Sequence, residues 1–135
     1  MTVSPPVDPS QAGPSAGSVS TQRLGGCVIV RLSGTFEAAD LAAFAPALAG
    51  LVAADHVVVE LSRARLPAPA VLRALTAAHA EAERHGTSVH VTGAGRALRR
   101  LLRRQAEDRP AYHEHLADAV EAALTARDAR AGRRS

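Results

Sequence analysis

Short apolar runs separated by Gly, Pro and polar residues divide the chain into predicted strands. Residues 27–32 follow the Gly25-Gly26 turn signal and predict a β-strand. Residues 56–61 are mostly apolar, rich in β-branched side chains and too short for a helix, which is typical of a strand buried on both faces. Residues 88–92 alternate apolar and polar side chains and predict a further strand. Residues 19–24 predict an opening edge strand, and a short extended segment is expected around Tyr112.

The first helical signal lies between the two buried strands. Residues 38–53 repeat apolar side chains with a period near 3.6, from Leu41 to Val52. Pro46 lies inside this pattern and predicts either a kink or a later start, with Asp40 as the N-cap if the helix begins there. The segment therefore predicts an amphipathic helix with one uncertain boundary.

Three more segments predict helices. Residues 69–85 begin with Pro69, a residue that suits the first helical position, and are followed by Gly86, which suits a helix end. Residues 96–105 predict a short, very basic helix, and residues 115–127 a last helix. Strands that alternate with helices imply right-handed crossovers and a mostly parallel sheet, so the fold class is α/β.

Composition sets the domain limits. The chain has 135 residues and is 47% hydrophobic, which is enough for one domain with a packed core. Residues 1–18 are rich in Pro, Ser, Gly and Ala, and we expect a flexible tail there because such a segment has little apolar surface to offset its ordering entropy. A second flexible, basic tail is expected at 127–135, which leaves 19–126 as the domain.

Charge and residue types exclude several function classes. All 16 basic residues are arginine, but the formal net charge is only +3, and aromatic residues make up 2%, so a base-stacking surface for nucleic acid is not expected. Cys27 is the single cysteine and lies in an apolar run, so neither a disulfide nor a cysteine metal cage is expected. No Ser, His and acid set stands out as catalytic machinery, so we expect no enzyme and no cofactor. Without a secretory signal or a membrane span, the sequence predicts a cytoplasmic protein.

The order of these segments resembles the STAS family. The run from Val28 to Gly34 is followed by an Ala/Leu helix and then by Val57 to Ser62; a later strand ends in Thr92-Gly93 and leads into a short helix with Leu98, Leu101 and Leu102. An Ala-rich last helix completes a resemblance that covers roughly residues 19–126. The resemblance implies a mixed sheet of four to five strands with helices packed mainly on one face.

The resemblance also implies a regulatory role as an anti-sigma factor antagonist. Members of this type bind an anti-sigma factor, often a serine kinase, and thereby release a sigma factor. The kinase phosphorylates a serine at the start of the second helix, usually in an Asp-Ser-Ser-Gly-like stretch, and the added charge of about −1.5 to −2 ends binding. Here Ala68-Pro69-Ala70-Val71 occupies that place, no hydroxyl lies between Ser62 and Thr76, and Glu37 replaces the usual aspartate of the first loop. The phosphorylation switch is therefore expected to be missing.

Two groups of residues are candidates for partner contact. The first is a docking loop that keeps the family's partner-facing position; the alternative is a rigid loop that closes one strand-to-helix connection. The second is an arginine stripe that meets an acidic protein partner; the alternative is the solvated face of an amphipathic helix. The docking group comprises Pro67, Ala68, Pro69, Ala70, Val71 and Arg73, and the stripe comprises Arg96, Arg99, Arg100 and Arg103, with Arg104 on the same face.

Two further motifs are weaker. His113-Glu114-His115 supplies two histidines of a metal site, but no third ligand follows from spacing, so no metal is expected. Gly93-Ala94-Gly95 before a helix predicts a tight turn more than a phosphate cradle, because the third glycine of the dinucleotide fingerprint is absent.

The favoured partner is an anti-sigma factor or serine kinase-like protein, with no nucleic acid and no membrane. The alternatives are a scaffold subunit that assembles with other STAS proteins, and a nucleotide-binding module that uses this turn and Arg96.

Overall fold

A computed structural model describes residues 16–105 and 109–134, the last five as backbone only. The elements are β1 (Ser18–Leu24), β2 (Cys27–Thr35), α1 (Ala38–Ala54), β3 (His56–Arg65), α2 (Ala68–His85), β4 (Val89–Thr92), α3 (Arg96–Arg104), β5 (Ala111–His113) and α4 (Leu116–Arg134). Every predicted strand and helix is present in the predicted order.

The five strands form one mixed sheet in the order β1-β2-β3-β4-β5. The β1–β2 pair is antiparallel, and every later pair is parallel. Because the parallel strands follow one another across the sheet in a single direction, right-handed crossovers put α1, α2 and α3 on the same face. Helix α4 follows the last strand and packs on the opposite face. The expected α/β fold, with helices mainly on one face, is confirmed.

Each central strand is buried on both faces because both faces carry helices. In β2, Val28, Val30 and Leu32 belong to the large core beneath α1, α2 and α3. Cys27 and Ile29 point to the other face and pack with α4 residues in a smaller core. The continuous apolar runs of the sequence follow from this double burial. Cys27 is fully buried, and burial raises the pKa of its thiol.

Strand β3 continues to Arg65, beyond its predicted end at Leu61, and contains a β-bulge. Arg31 pairs with Glu60, but Ser33 pairs with Arg63, so β3 holds one extra residue opposite β2. A bulge of this kind changes the direction of the side chains that follow it. Arg63 therefore shares a face with Ser33, the face that carries α4.

Three predicted details of the helices and tails are corrected. The N-cap of α1 is Glu37; Asp40 lies inside the first turn, where its Oδ2 accepts the Glu37 N–H at 2.8 Å. Helix α1 starts at Ala38 and runs unbroken past Pro46, which lies on its exposed side. Helix α4 runs to Arg134, beyond its predicted end at Arg127, whose Nη1 donates to the Gly25 carbonyl at 2.9 Å.

Most of the predicted N-terminal tail, residues 1–15, lies outside the described residues. Its last residue, Ser18, begins β1, and Ala16 forms a bridge with Thr35. The division of the chain at residues 18 and 126 stays a prediction.

Candidate functional site

The parallel strands gather three helix starts at one edge of the sheet. Strands β2, β3 and β4 end side by side, and each leads directly into a helix whose N-cap is Glu37, Pro67 or Gly95. In α/β proteins this carboxyl edge is where binding residues collect. The start of α2 lies in the middle of the three, because β3 lies between β2 and β4.

Helix α2 starts without a side-chain cap. Pro67 is the N-cap, and its carbonyl accepts the N–H groups of Ala70 and Val71 at 3.1 Å. Pro69 occupies the second helical position, one later than the sequence predicts. Since a proline has no N–H, the two prolines remove two of the backbone donors that a helix start leaves unpaired. This helix start is therefore stable without the Ser, Thr or Asp that usually caps one.

The predicted docking residues divide between the core and the surface. Val71 is fully buried and Ala70 is 8% exposed, so the expectation that these two contact a partner is wrong: the helical period turns them toward the sheet. Pro69 and Arg73 are exposed, and Pro67 and Ala68 are half-buried. Four of the six candidates thus remain available at the surface.

The residues around this helix start offer few hydroxyl groups. Ser62 is exposed on β3 before the loop, and Thr76 is half-buried more than two turns into α2. No serine or threonine lies between them. The surface at the helix start is built from proline, alanine and leucine side chains.

The arginine stripe of α3 is mostly free at the surface. Arg96, Arg100 and Arg103 are exposed and form no ion pair with a residue that the structure describes. Arg99 is half-buried: its Nη2 lies 2.8 Å from Glu114 Oε1, and its guanidinium carbon lies 5.3 Å from the centre of the Tyr112 ring. Arg99 therefore ties α3 to the segment with Tyr112 and Glu114, and its contact with a partner stays a prediction.

Comparison with known proteins identifies the family. Residues 19–110 match the family model described as "Mlab, STAS domain". The chain belongs to the STAS domain family. The structure of the anti-sigma factor antagonist SpoIIAA in its unphosphorylated form is similar to this one, with a TM-score of 0.61, 10% sequence identity, and coverage of 80% of this chain and 98% of that chain.

A second solved structure is a STAS-domain antisigma-factor antagonist from Rhodobacter sphaeroides. It is 26% identical, covers 57% of this chain and 86% of its own, and has a TM-score of 0.47. No curated protein matches the sequence. Within the described part of this STAS domain, no helix is long and apolar enough to cross a bilayer.

Two arginines at the carboxyl edge of this STAS domain were not predicted from the sequence. Arg63 and Arg65 are exposed at the end of β3, and neither forms an ion pair with a described residue. Their direction depends on the bulge in β3, which no local pattern predicts.

A hydrogen-bonded chain of three histidines lies on the α4 face of the domain. His56 Nδ1 is 2.7 Å from Ser88 Oγ, which is 2.8 Å from His90 Nε2, and His90 Nδ1 is 3.1 Å from His113 Nε2. His90 is 6% exposed. Burial, with His113 and His56 nearby, lowers the pKa of His90 to about 4.

We expect His90 to make the domain acid-sensitive. An unfolded histidine titrates near pH 6.5, so below that pH the unfolded chain binds a proton that folded His90 does not accept until about pH 4. Stability is therefore retained above pH 6.5 and lost as pH falls, by about 2 kcal/mol. Urea unfolding at pH 7 and pH 4.5 measures the loss. We expect the loss of unfolding free energy between pH 7 and pH 4.5 to be about 2 kcal/mol smaller in His90→Gln than in the natural chain, and the same as in the natural chain in the control His85→Gln. If His90→Gln loses as much as the natural chain, His90 is not the cause of the acid sensitivity.

The other two sequence motifs have structural roles. In His113-Glu114-His115, His113 contacts His90 and Glu114 pairs with Arg99, and within residues 16–105 and 109–134 no group of three His, Cys, Asp or Glu side chains is placed to hold a metal ion. Gly93 adopts a φ of +77°, which confirms the predicted tight turn into α3.

Proposed function

We propose that this STAS domain docks onto a regulatory protein partner through the start of α2, and that phosphorylation at that helix start does not control the docking. The observation that carries the proposal is the Pro67-Ala68-Pro69 start itself. It stands at the helix start where the resemblance places the family's phosphorylated serine, it is partly exposed, and it has no hydroxyl.

The surface around this helix start has the make-up of a protein interface. We name it the docking edge: an apolar centre with arginines at its rim. A desolvated apolar centre with a charged rim is the usual anatomy of a protein–protein contact. The half-buried or exposed apolar members are Leu66, Pro67, Ala68, Pro69 and Leu72, and the exposed arginines are Arg65 and Arg73.

The rigidity of the loop at the start of α2 also supports a docking role. Proline fixes φ, so Pro67 and Pro69 hold this loop in one conformation before a partner arrives. Binding then costs less conformational entropy than it would for a flexible loop. A rigid apolar edge suits constitutive docking better than a switch.

Charge indicates the kind of partner. Arg65 and Arg73 at the rim and Arg96 and Arg100 at the start of α3 are exposed cations without ion pairs among the described residues. An anti-sigma factor or serine kinase-like protein with an acidic face would pair with them, and charge complementarity of this sort speeds encounter. The proposed role is that of an anti-sigma factor antagonist that binds and does not catalyse.

The docking edge is tested by adding one negative charge to it. Ala68→Asp places a carboxylate at the first position of α2, where the helix dipole tolerates it, so the fold is retained. Against purified anti-sigma factors of the serine-kinase type, we expect the variant to bind at least about tenfold more weakly by calorimetry, because the charge faces an acidic, desolvated contact. Ala77→Asp, exposed further along the same helix, is the matched control and should bind as the natural chain does.

The same proteins test whether phosphorylation controls the docking. Incubation with kinase and ATP should leave both the affinity and the mass of the domain unchanged. If Ala68→Asp binds as tightly as the natural chain, the docking edge is not the contact surface. If phosphate is found on a serine or threonine of the folded domain, the proposal that phosphorylation does not control docking is wrong.

The outer edge of β1, which pairs with no strand that the structure describes, supports a second candidate, a STAS subunit of a larger assembly. All seven residues of β1 are exposed, and Val19 and Leu24 keep 46% and 44% of their surface in water. An unpaired edge strand with exposed apolar side chains is a site for strand addition. Light scattering after size-exclusion chromatography distinguishes the candidates, since a large defined assembly favours this second role.

A further inference from the structure

A polar cleft of about 590 Å³ opens on the α4 face of the sheet, where β2, β3 and β4 end. Its walls come from Arg31 and Ser33 on β2, Ser62 and Arg63 on β3, and Thr92 on β4. The first residue of α4, Leu116, closes one end. The cleft shares no residue with the docking edge, whose apolar centre is the start of α2.

Two guanidinium groups reach this cleft with most of their donors unused. Arg31 donates one hydrogen bond, from Nη1 to Gln22 Oε1 at 3.2 Å. Arg63 makes no hydrogen bond or ion pair with a described residue, and it lines the cleft because of the bulge in β3. A guanidinium has five N–H donors, so both can bind a ligand oxygen.

The carboxylates that also line the cleft are already engaged. Glu60 Oε1 accepts the Ser62 N–H at 2.8 Å, and Glu114 Oε1 lies 2.8 Å from Arg99 Nη2. Each carboxylate thus has one oxygen in a contact of its own, while Arg31 and Arg63 keep most of their N–H donors.

A threonine hydroxyl and a helix start add two more kinds of donor. Thr92 is 2% exposed and lines the cleft, and its hydroxyl makes no hydrogen bond with a residue that the structure describes. Its hydroxyl can therefore donate to a ligand oxygen in the cleft. Helix α4, with 19 residues, directs its first-turn N–H groups and the positive end of its dipole toward the same cleft.

We propose that this cleft binds a small oxyanion, a phosphate group either free or carried as a monoester on a side chain. Arg31 and Arg63 supply the charge, and Thr92 and the first turn of α4 supply the directed hydrogen bonds. The site is independent of the proposed docking function, because none of these groups belongs to the docking edge.

Titration with inorganic phosphate and with O-phosphoserine, at constant ionic strength, tests the proposal. Binding is followed by amide NMR shifts, expected at Thr92, Gly93 and the first turn of α4, and by calorimetry. Arg63→Gln should weaken binding about tenfold or more because it removes a charge-assisted contact, and Thr92→Val about fivefold because it removes one hydrogen bond without changing shape. The ligand that binds more tightly identifies free phosphate or the monoester as the source.

Arg65→Gln is the matched control, since Arg65 lies two residues further along β3 and does not line the cleft. It should leave the affinity unchanged. Equal weakening by Arg65→Gln and Arg63→Gln would mean general charge attraction and would overturn the site. Absence of binding by both ligands at millimolar concentration, or shifts confined to other regions, would overturn it as well.

Discussion

Replacing Gly93 by alanine is expected to lower the free energy of unfolding by about 3 kcal/mol. Gly93 has a φ of +77°, which strains any residue with a Cβ. An added Cβ would also lie 2.6 Å from Glu60 Oε1 and 2.6 Å from the Ser62 backbone nitrogen. Those two atoms form the hydrogen bond that holds the end of β3, so either the strand or the turn must move. Urea unfolding followed by circular dichroism measures the loss.

Gly95→Ala is the control for this substitution. Gly95 has a φ of −70° and no atom within 4 Å of the position that its Cβ would take. Its replacement should change stability by less than about 1 kcal/mol. Similar losses of unfolding free energy at both glycines would show that the close approach of Gly93 to β3 is not the cause of the loss at Gly93.

Leu48→Ala is expected to cost about 3 kcal/mol of unfolding free energy. Leu48 is fully buried in α1 and belongs to the large core with Val52 and Leu75. Truncation loses the transfer free energy of three carbon atoms and leaves a cavity that packed neighbours fill only in part. The same urea titration, with the slope of the transition compared between variants, measures the change.

Leu24→Ala provides the comparison, because it removes the same atoms from a side chain that is 44% exposed. We expect it to cost less than about 1 kcal/mol. A loss at Leu24 as large as that at Leu48 would mean that the β1 edge is covered in solution, as the assembly proposal requires.

The start of α2 connects stability with the proposed function. In place of a polar cap, Pro67 and Pro69 reduce the number of unpaired donors, and this leaves an apolar edge without a group that accepts phosphate. Under the proposed docking function, this solution to capping also removes the usual site of phosphorylation. A partner of the docking edge would have to be controlled by its own abundance or state.

Much of the architecture follows from local pattern. A strand buried on both faces shows as a run of apolar residues, and residues 56–61 predict such a strand without any tertiary information. The absence of a hydroxyl at the start of α2 is likewise a property of the sequence. Alternation of strands and helices fixes the crossovers, because only one hand packs back onto the sheet.

Tertiary structure decided which side chains are free at the surface. The phase of α2 buried Ala70 and Val71 yet left Pro69 and Arg73 exposed, and pairing with Glu114 engaged Arg99. The bulge that turns Arg63 toward the cleft depends on how β3 pairs with β2, and the histidine chain depends on three strands lying side by side. Such features arise between segments distant along the chain, so the amino-acid pattern within any one segment does not contain them.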